Sequence, residues 1–234
     1  MCSRHFFCAA TSFLLNLFII SCFMKKPDRL LADKLLEISA VKFQPELPFV
    51  WGSGWNSPIY NDDRRILSYV DVRNFLKVEM SRVVLEAFPD VEVIAAVSTA
   101  AIPLGMLVAD VLSLPFVYVR SSPKDHGLEN LIEGDLQINK KVVIVEDIVA
   151  TGGGSLRAAE VIRDSACELL GGVCLLDYQF ADTVKRLADA DIKMVALCTY
   201  ATLVEAAVDS KSIDPAQEPT LREWHNDPAN WIND

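Results

Sequence analysis

Beyond residue 90, short apolar runs alternate with amphipathic stretches. Val91 to Val97, Pro115 to Val119, and 142–146, 172–177 and 193–199 are short and rich in apolar residues. Runs of that length read as strands buried on both faces. Between them, Ile102 to about Leu112, 155–166 and 181–189 follow a helical period. Upstream, Leu31, Leu35 and Ile38 fall at i, i+4 and i+7, and Val72 to Phe88 forms a second helix that stops near Pro89. Residues 41–69 keep neither period, and Pro45, Pro48, Gly52, Gly54 and Pro58 interrupt them. Trp224 and Trp231 read as anchors of a C-terminal helix. Strands alternating with helices at this spacing predict an α/β fold, with a mostly parallel central sheet flanked by helices.

One stretch organises the rest. Val142 to Val145 is continuous and apolar, and two acids follow, Glu146 and Asp147. After Ile148, Val149, Ala150 and Thr151 come Gly152, Gly153, Gly154 and Ser155, and a helical pattern starts at once. This is a strand, a turn and a helix, with acids at the carboxyl end of the strand, where open α/β sheets bind ligands. The glycines let backbone approach a ligand closely. Their N–H groups and those of the helix start can cradle a phosphate, with the Thr151 and Ser155 hydroxyls adding hydrogen bonds. The acids repel phosphate and suit sugar hydroxyls or a hard cation such as Mg²⁺. A ribose 5-phosphate needs all of these groups. The same residues also fit a solvated acidic strand end and a glycine-rich turn that bind nothing. The spacing is neither a Walker loop nor a dinucleotide fingerprint.

Charge narrows the partners. The formal net charge of −10 argues against general nucleic-acid binding and against an anionic membrane surface. A phosphate-rich substrate therefore depends on a few clustered cations. Such a cluster lies in 120–135, a polar connection long enough to be an active-site lid, with Arg120, Lys124 and His126. Residues 1–23 are set apart by their apolar character between Arg4 and Lys25-Lys26. They fit a secretory signal or short anchor, and Ile19-Ile20-Ser21-Cys22 is similar to a lipoprotein cleavage box. They fit better as upstream sequence ahead of a start at Met24, which is the expectation. Three of six cysteines lie in that stretch. Cys167, Cys174 and Cys198 sit among apolar residues, without metal spacing, as buried thiols of a reducing compartment.

Val142 to Gly154 resembles the phosphoribosyl pyrophosphate motif of the type I phosphoribosyltransferases: four apolar residues, two acids, then Thr-Gly-Gly. Two further stretches are similar to the orotate phosphoribosyltransferase family: Ser53-Gly54-Trp55-Asn56-Ser57-Pro58 and Arg120-Ser121-Ser122-Pro123-Lys124-Asp125-His126-Gly127. The resemblance runs from about Pro27 to the C-terminus. It implies a type I phosphoribosyltransferase fold, residues 24–234, with a small N-terminal hood at about 24–69.

The resemblance also implies transfer of phosphoribosyl from phosphoribosyl pyrophosphate to orotate, giving orotidine 5′-monophosphate and pyrophosphate in pyrimidine nucleotide biosynthesis. Lys124, His126 and Asp147 would be catalytic. Arg120, Glu146, Asp147, Ala150, Thr151, Gly152, Gly153, Gly154 and Ser155 would bind phosphoribosyl pyrophosphate, with Asn56, Ala150 and Tyr178 on the base side. Mg²⁺ would be held mainly through substrate, with Asp147 as a protein ligand. A cytoplasmic homodimer that shares the lid across its interface is further implied. The chain departs from the family pattern at Asn56, where lysine is usual, at Ser121, Ser122 and Glu129, at Ala96 and Ala100 in place of glycines, and at Tyr178 near an expected arginine. These departures leave open a weakened protein that senses phosphoribosyl pyrophosphate, or a transferase for another base.

Overall fold

The computed structural model describes residues 26–122 and 131–231. The 1–23 extension, Lys124, His126 and Glu129 lie outside the described residues. The described chain begins with α1 (Pro27–Glu37) and four short strands, β1 (Val41–Phe43), β2 (Phe49–Val50), β3 (Asn56–Ser57) and β4 (Ile59–Asn61). A 3₁₀ turn at Asp63–Ser68 leads into α2 (Val70–Ala87). Then come β5 (Val93–Val97), α3 (Ile102–Leu112), β6 (Phe116–Val119) and β7 (Ile132–Glu133). The second half runs β8 (Lys141–Val149), α4 (Gly153–Asp164), β9 (Glu168–Asp177), α5 (Ala181–Asp189), β10 (Met194–Thr199), α6 (Tyr200–Asp209) and, after a short 3₁₀ turn, α7 (Glu218–Asn226).

The central sheet has six strands in the order β10-β9-β8-β5-β6-β7. Neighbours are parallel except for β6 and β7, which pair antiparallel at one edge. Side chains alternate along β8 because strand period is two. Val143 and Val145 join a core with Leu35 of α1, Leu76 of α2, Val108 of α3 and Leu203 of α6. Val142 and Ile144 join the opposite core, with Ala158 and Ile162 of α4 and Leu187 of α5. Helices therefore cover both faces, and β8 is buried on each.

The 41–69 region, which lacks a sequence period, folds as two small antiparallel pairs, β1 with β4 and β2 with β3. Backbone hydrogen bonds from Trp51 N–H to the Trp55 carbonyl (2.9 Å) and from Gly54 N–H to the Trp51 carbonyl (2.8 Å) close the turn between β2 and β3. The register of β8 on β9 slips between Val142 and Val143, where Leu170 is passed over. Gly171 next to it has φ +146°, and a Cβ there would stand 2.5 Å from the Lys193 carbonyl oxygen. Cys167, Cys174 and Cys198 are buried, unpaired thiols. Among the described residues, no helix is long and apolar enough to cross a membrane.

Candidate active site

The two acids at the end of β8 meet different surroundings. Glu146 is buried, 6% exposed, and its Oε2 accepts the Ser155 hydroxyl at 3.2 Å. Burial first, and then the adjoining Asp147 carboxyl, push the Glu146 carboxyl well above the usual carboxylate range. Asp147 faces open space instead. The expectation that Ser155 bonds a phosphate and Glu146 a sugar therefore meets a different geometry. These two side chains are turned inward toward each other, because Ser155 sits in the first turn of α4 above the strand end. Gly154 is held to the same spot, since a Cβ on it would come within 3.0 Å of Glu146 Oε2.

The turn between β8 and α4 is shaped by Gly152, the helix N-cap residue, with φ +72°. Left-handed backbone is accessible there at no steric cost because glycine has no Cβ. Two side chains of α5 grip the turn from below. The Thr183 hydroxyl donates to the Ala150 carbonyl at 2.6 Å, and Arg186 Nη1 donates to the Thr151 carbonyl at 3.0 Å. In a trans peptide the N–H points opposite to the C=O. Tying both carbonyls toward α5 thus turns the N–H groups of Thr151 and Gly152 the other way. Neither Thr183 nor Arg186 stands out in the sequence; their place three residues apart on an amphipathic helix that follows the turn is the available signal.

Asp147, Ile148, Ala150, Thr151 and Tyr178 form one wall of a cavity of about 380 Å³. The hood forms the other, with Val50, Trp51, Gly52, Ser53, Tyr60 and Asn61. Trp51 and Tyr178, one from each wall, are in edge-to-face contact at 5.2 Å between ring centroids. The phenol of Tyr178 is buried away from the opening, and its hydroxyl has no hydrogen-bond partner among the described residues. Burial, together with the Tyr200 and Asp63 charges nearby, raises its pKa well above that of a free phenol. Asn56, expected on the base side, is exposed on β3 and is not among the residues lining this cavity; its carbonyl accepts Trp224 Nε1–H at 2.9 Å.

A second cavity of about 310 Å³ lies on the other side of the α4 start, lined by Ser98, Arg120, Ser121, Gly153, Gly154 and Arg157 among others. Arg120 is partly engaged, with Nη1 on Glu133 Oε1 at 3.1 Å and Nε on the Ser122 carbonyl at 3.2 Å. Arg157, which the sequence reading passed over, donates to the Ser121 carbonyl at 2.7 Å. Nearby, a Cβ built on Gly105 would stand 2.8 Å from the Ala96 Cβ, so the larger residue at 96 is matched by the absence of a side chain at 105.

A parallel sheet whose acidic strand end opens into a glycine turn beneath a hood defines a type I phosphoribosyltransferase. The Phosphoribosyl transferase domain family matches residues 80–209, more than half of the chain. The orotate phosphoribosyltransferase of Bacteroides fragilis is 51% identical over 208 residues, 89% of this chain and 98% of that protein. That of Phocaeicola vulgatus is 50% identical over the same coverage. Among solved structures, the Aeropyrum pernix orotate phosphoribosyltransferase aligns with TM-score 0.67 at 28% identity, covering 75% of this chain and 96% of that one. Leishmania donovani UMP synthase aligns with TM-score 0.73 at 26% identity, over 85% of this chain and 42% of that longer one. The chain belongs to the orotate phosphoribosyltransferase family.

Proposed function

We propose that this chain, through residues 24–234, transfers the phosphoribosyl group of phosphoribosyl pyrophosphate to orotate. One observation supports the placement of substrate: the Ala150 and Thr151 carbonyls are bonded to α5, so the N–H groups of Thr151 and Gly152 turn away from α5, and Ala150 and Thr151 line the same cavity as Asp147. In this reading Ala150 to Gly154 hold the 5′-phosphate. Asp147 orients ribose hydroxyls, and the hood receives the base. The orotate ring nitrogen, its N–H proton given up to water, forms a bond to the anomeric carbon while the bond from that carbon to pyrophosphate breaks. Positive charge grows on the ribose and negative charge on the leaving group, so cations near the leaving group and exclusion of water lower the barrier. Lys124 and His126 have those roles in the family motif, and Arg120 and Arg157 line the adjoining cavity.

Asp147 offers a hard oxygen donor facing the cavity. One such carboxylate is what Mg²⁺ requires when substrate phosphates and hydroxyls supply most of its ligands. Bound there, Mg²⁺ would neutralise charge on the departing pyrophosphate. The reading includes a homodimer in the cytoplasm. Exposed apolar side chains on α2 and α3, Val78, Leu85 and Met106, supply a surface suited to a second copy.

The test is consumption of orotate by the purified protein with phosphoribosyl pyrophosphate and Mg²⁺, with orotidine 5′-monophosphate as product. No product from a folded protein that still binds phosphoribosyl pyrophosphate overturns the reading. Asp147→Asn is expected to raise KM for phosphoribosyl pyrophosphate by roughly tenfold while the melting temperature holds. An unchanged KM removes Asp147 from the site.

A further inference from the structure

The hood side of the cavity and the Tyr178 side come from parts of the chain more than a hundred residues apart. Consecutive residues of α7 reach both. Trp224 Nε1–H donates to the Asn56 carbonyl at 2.9 Å. Asn56 pairs with Val50 in the β2–β3 hairpin, so this bond holds the strand that leads into Trp51, Gly52 and Ser53. His225 Nε2 bonds the Tyr178 carbonyl at 2.5 Å. A carbonyl can only accept, so Nε2 carries the proton. Both acceptors are backbone atoms, and the two bonds therefore fix main-chain positions.

The donors are themselves held firmly. The Trp224 ring is fully buried. It stands edge-on to Trp51 and Tyr178, one ring from each wall, with centroids at 5.4 and 5.8 Å. The His225 ring lies flat on Tyr200 at 4.5 Å. Tyr200 in turn donates its hydroxyl to the Leu221 carbonyl of α7 at 2.9 Å, closing the frame.

We propose that Trp224 and His225 are positioning residues which set the separation of the hood wall from the Tyr178 wall, and so the width of the slot that admits the planar pyrimidine base. The inference rests on the base-transfer reading above. The phosphate end has its own hydrogen bonds, from Thr183 and Arg186 of α5, which neither Trp224 nor His225 supplies. Errors of position far from the reacting atoms are expensive when they alter how a substrate is presented.

Steady-state kinetics on the full chain test this. Trp224→Phe removes one donor and keeps an aromatic ring. His225→Phe removes the other and keeps a ring on Tyr200, whereas His225→Gln returns an N–H donor. In Trp224→Phe and His225→Phe, KM for orotate is expected to rise roughly five- to tenfold, with KM for phosphoribosyl pyrophosphate within about twofold of wild type. His225→Gln recovers most of the loss. Equal changes in both KM values, or none in either, overturn the proposal. If wild type does not turn over orotate, the functional reading fails by itself. Amide hydrogen exchange then decides the positioning role: both Phe variants must quicken exchange in 50–61 and in 177–180, and unchanged exchange refutes it.

Discussion

Asp63 is buried, 6% exposed, and neither of its carboxylate oxygens has a hydrogen-bond partner among the described residues. The Asn61 side chain, two residues earlier, is in the same condition. Burial foremost, then the charges of Asp147 and Asp62, hold the Asp63 carboxyl well above its usual range. Tyr178 and Cys198 are further titratable groups within its field. The folded state therefore keeps a proton that the unfolded state releases in the ordinary carboxylate range. Its contribution to stability is complete below that range and is lost as pH rises through the folded value. Asp63→Asn is expected to lessen the fall of melting temperature with rising pH, measured by thermal denaturation between pH 5 and about 9. A profile parallel to wild type contradicts a buried neutral acid at 63. Backbone sets a second limit at Gly152. Gly152→Ala places a Cβ in left-handed backbone and within 3.0 Å of Thr183 Cγ2. Its cost is about 1–2 kcal/mol, read as a lower midpoint in urea. The sequence marks the Glu146-Asp147 pair as chemical but does not separate the two. Only the packing of α4 on the strand end shows that Ser155 takes Glu146 inward and leaves Asp147 facing the cavity.

At the scale of elements, period carries far where runs are long. α3 and α5 match the expected spans, and β8, β9 and β10 fall where apolar runs place them, though β8 and β9 extend beyond those runs. Two-residue strands leave no period to read, which is why β2, β3 and β7 are absent from the sequence reading. Helix α6 shows no boundary in the sequence because it starts directly after β10 with no breaker between them. Its signal is Thr199, whose side chain accepts the Thr202 N–H at 3.3 Å as an N-cap. The hood shows itself in sequence only as missing periodicity, and its pairing depends on turns such as that at Gly54. Burial on both faces makes β8 intolerant of lost side chains. Ile144→Ala, at a fully buried position, is expected to cost about 2–5 kcal/mol in chemical denaturation. A loss below 1 kcal/mol, about the cost of an Ile-to-Val trim, contradicts that burial.

For the whole molecule, the exposed Val78 and Leu85 on α2 and Met106 on α3 bear on assembly. Leu85→Glu with Met106→Glu would place charge where the proposed partner copy packs. Sedimentation velocity is expected to give a dimer for wild type and a monomer for the double variant; a wild-type monomer ends the proposal. The molecule also carries its own clock. Cys174 is fully buried with its thiol raised well above the ordinary value, and burial pushes the neighbouring Cys198 up to about 12. Thiolate is the reactive form, so neither reacts at neutral pH while the sheet is closed. They lie on β9 and β10, where Cys174 opposes Ala196 and Cys198 opposes Leu176. A reagent that alkylates them must wait for those strands to part. The labelling rate of these two peptides, followed by mass spectrometry without denaturant, thus measures how often the sheet opens, and bound substrate should slow it in proportion to the stability that it adds.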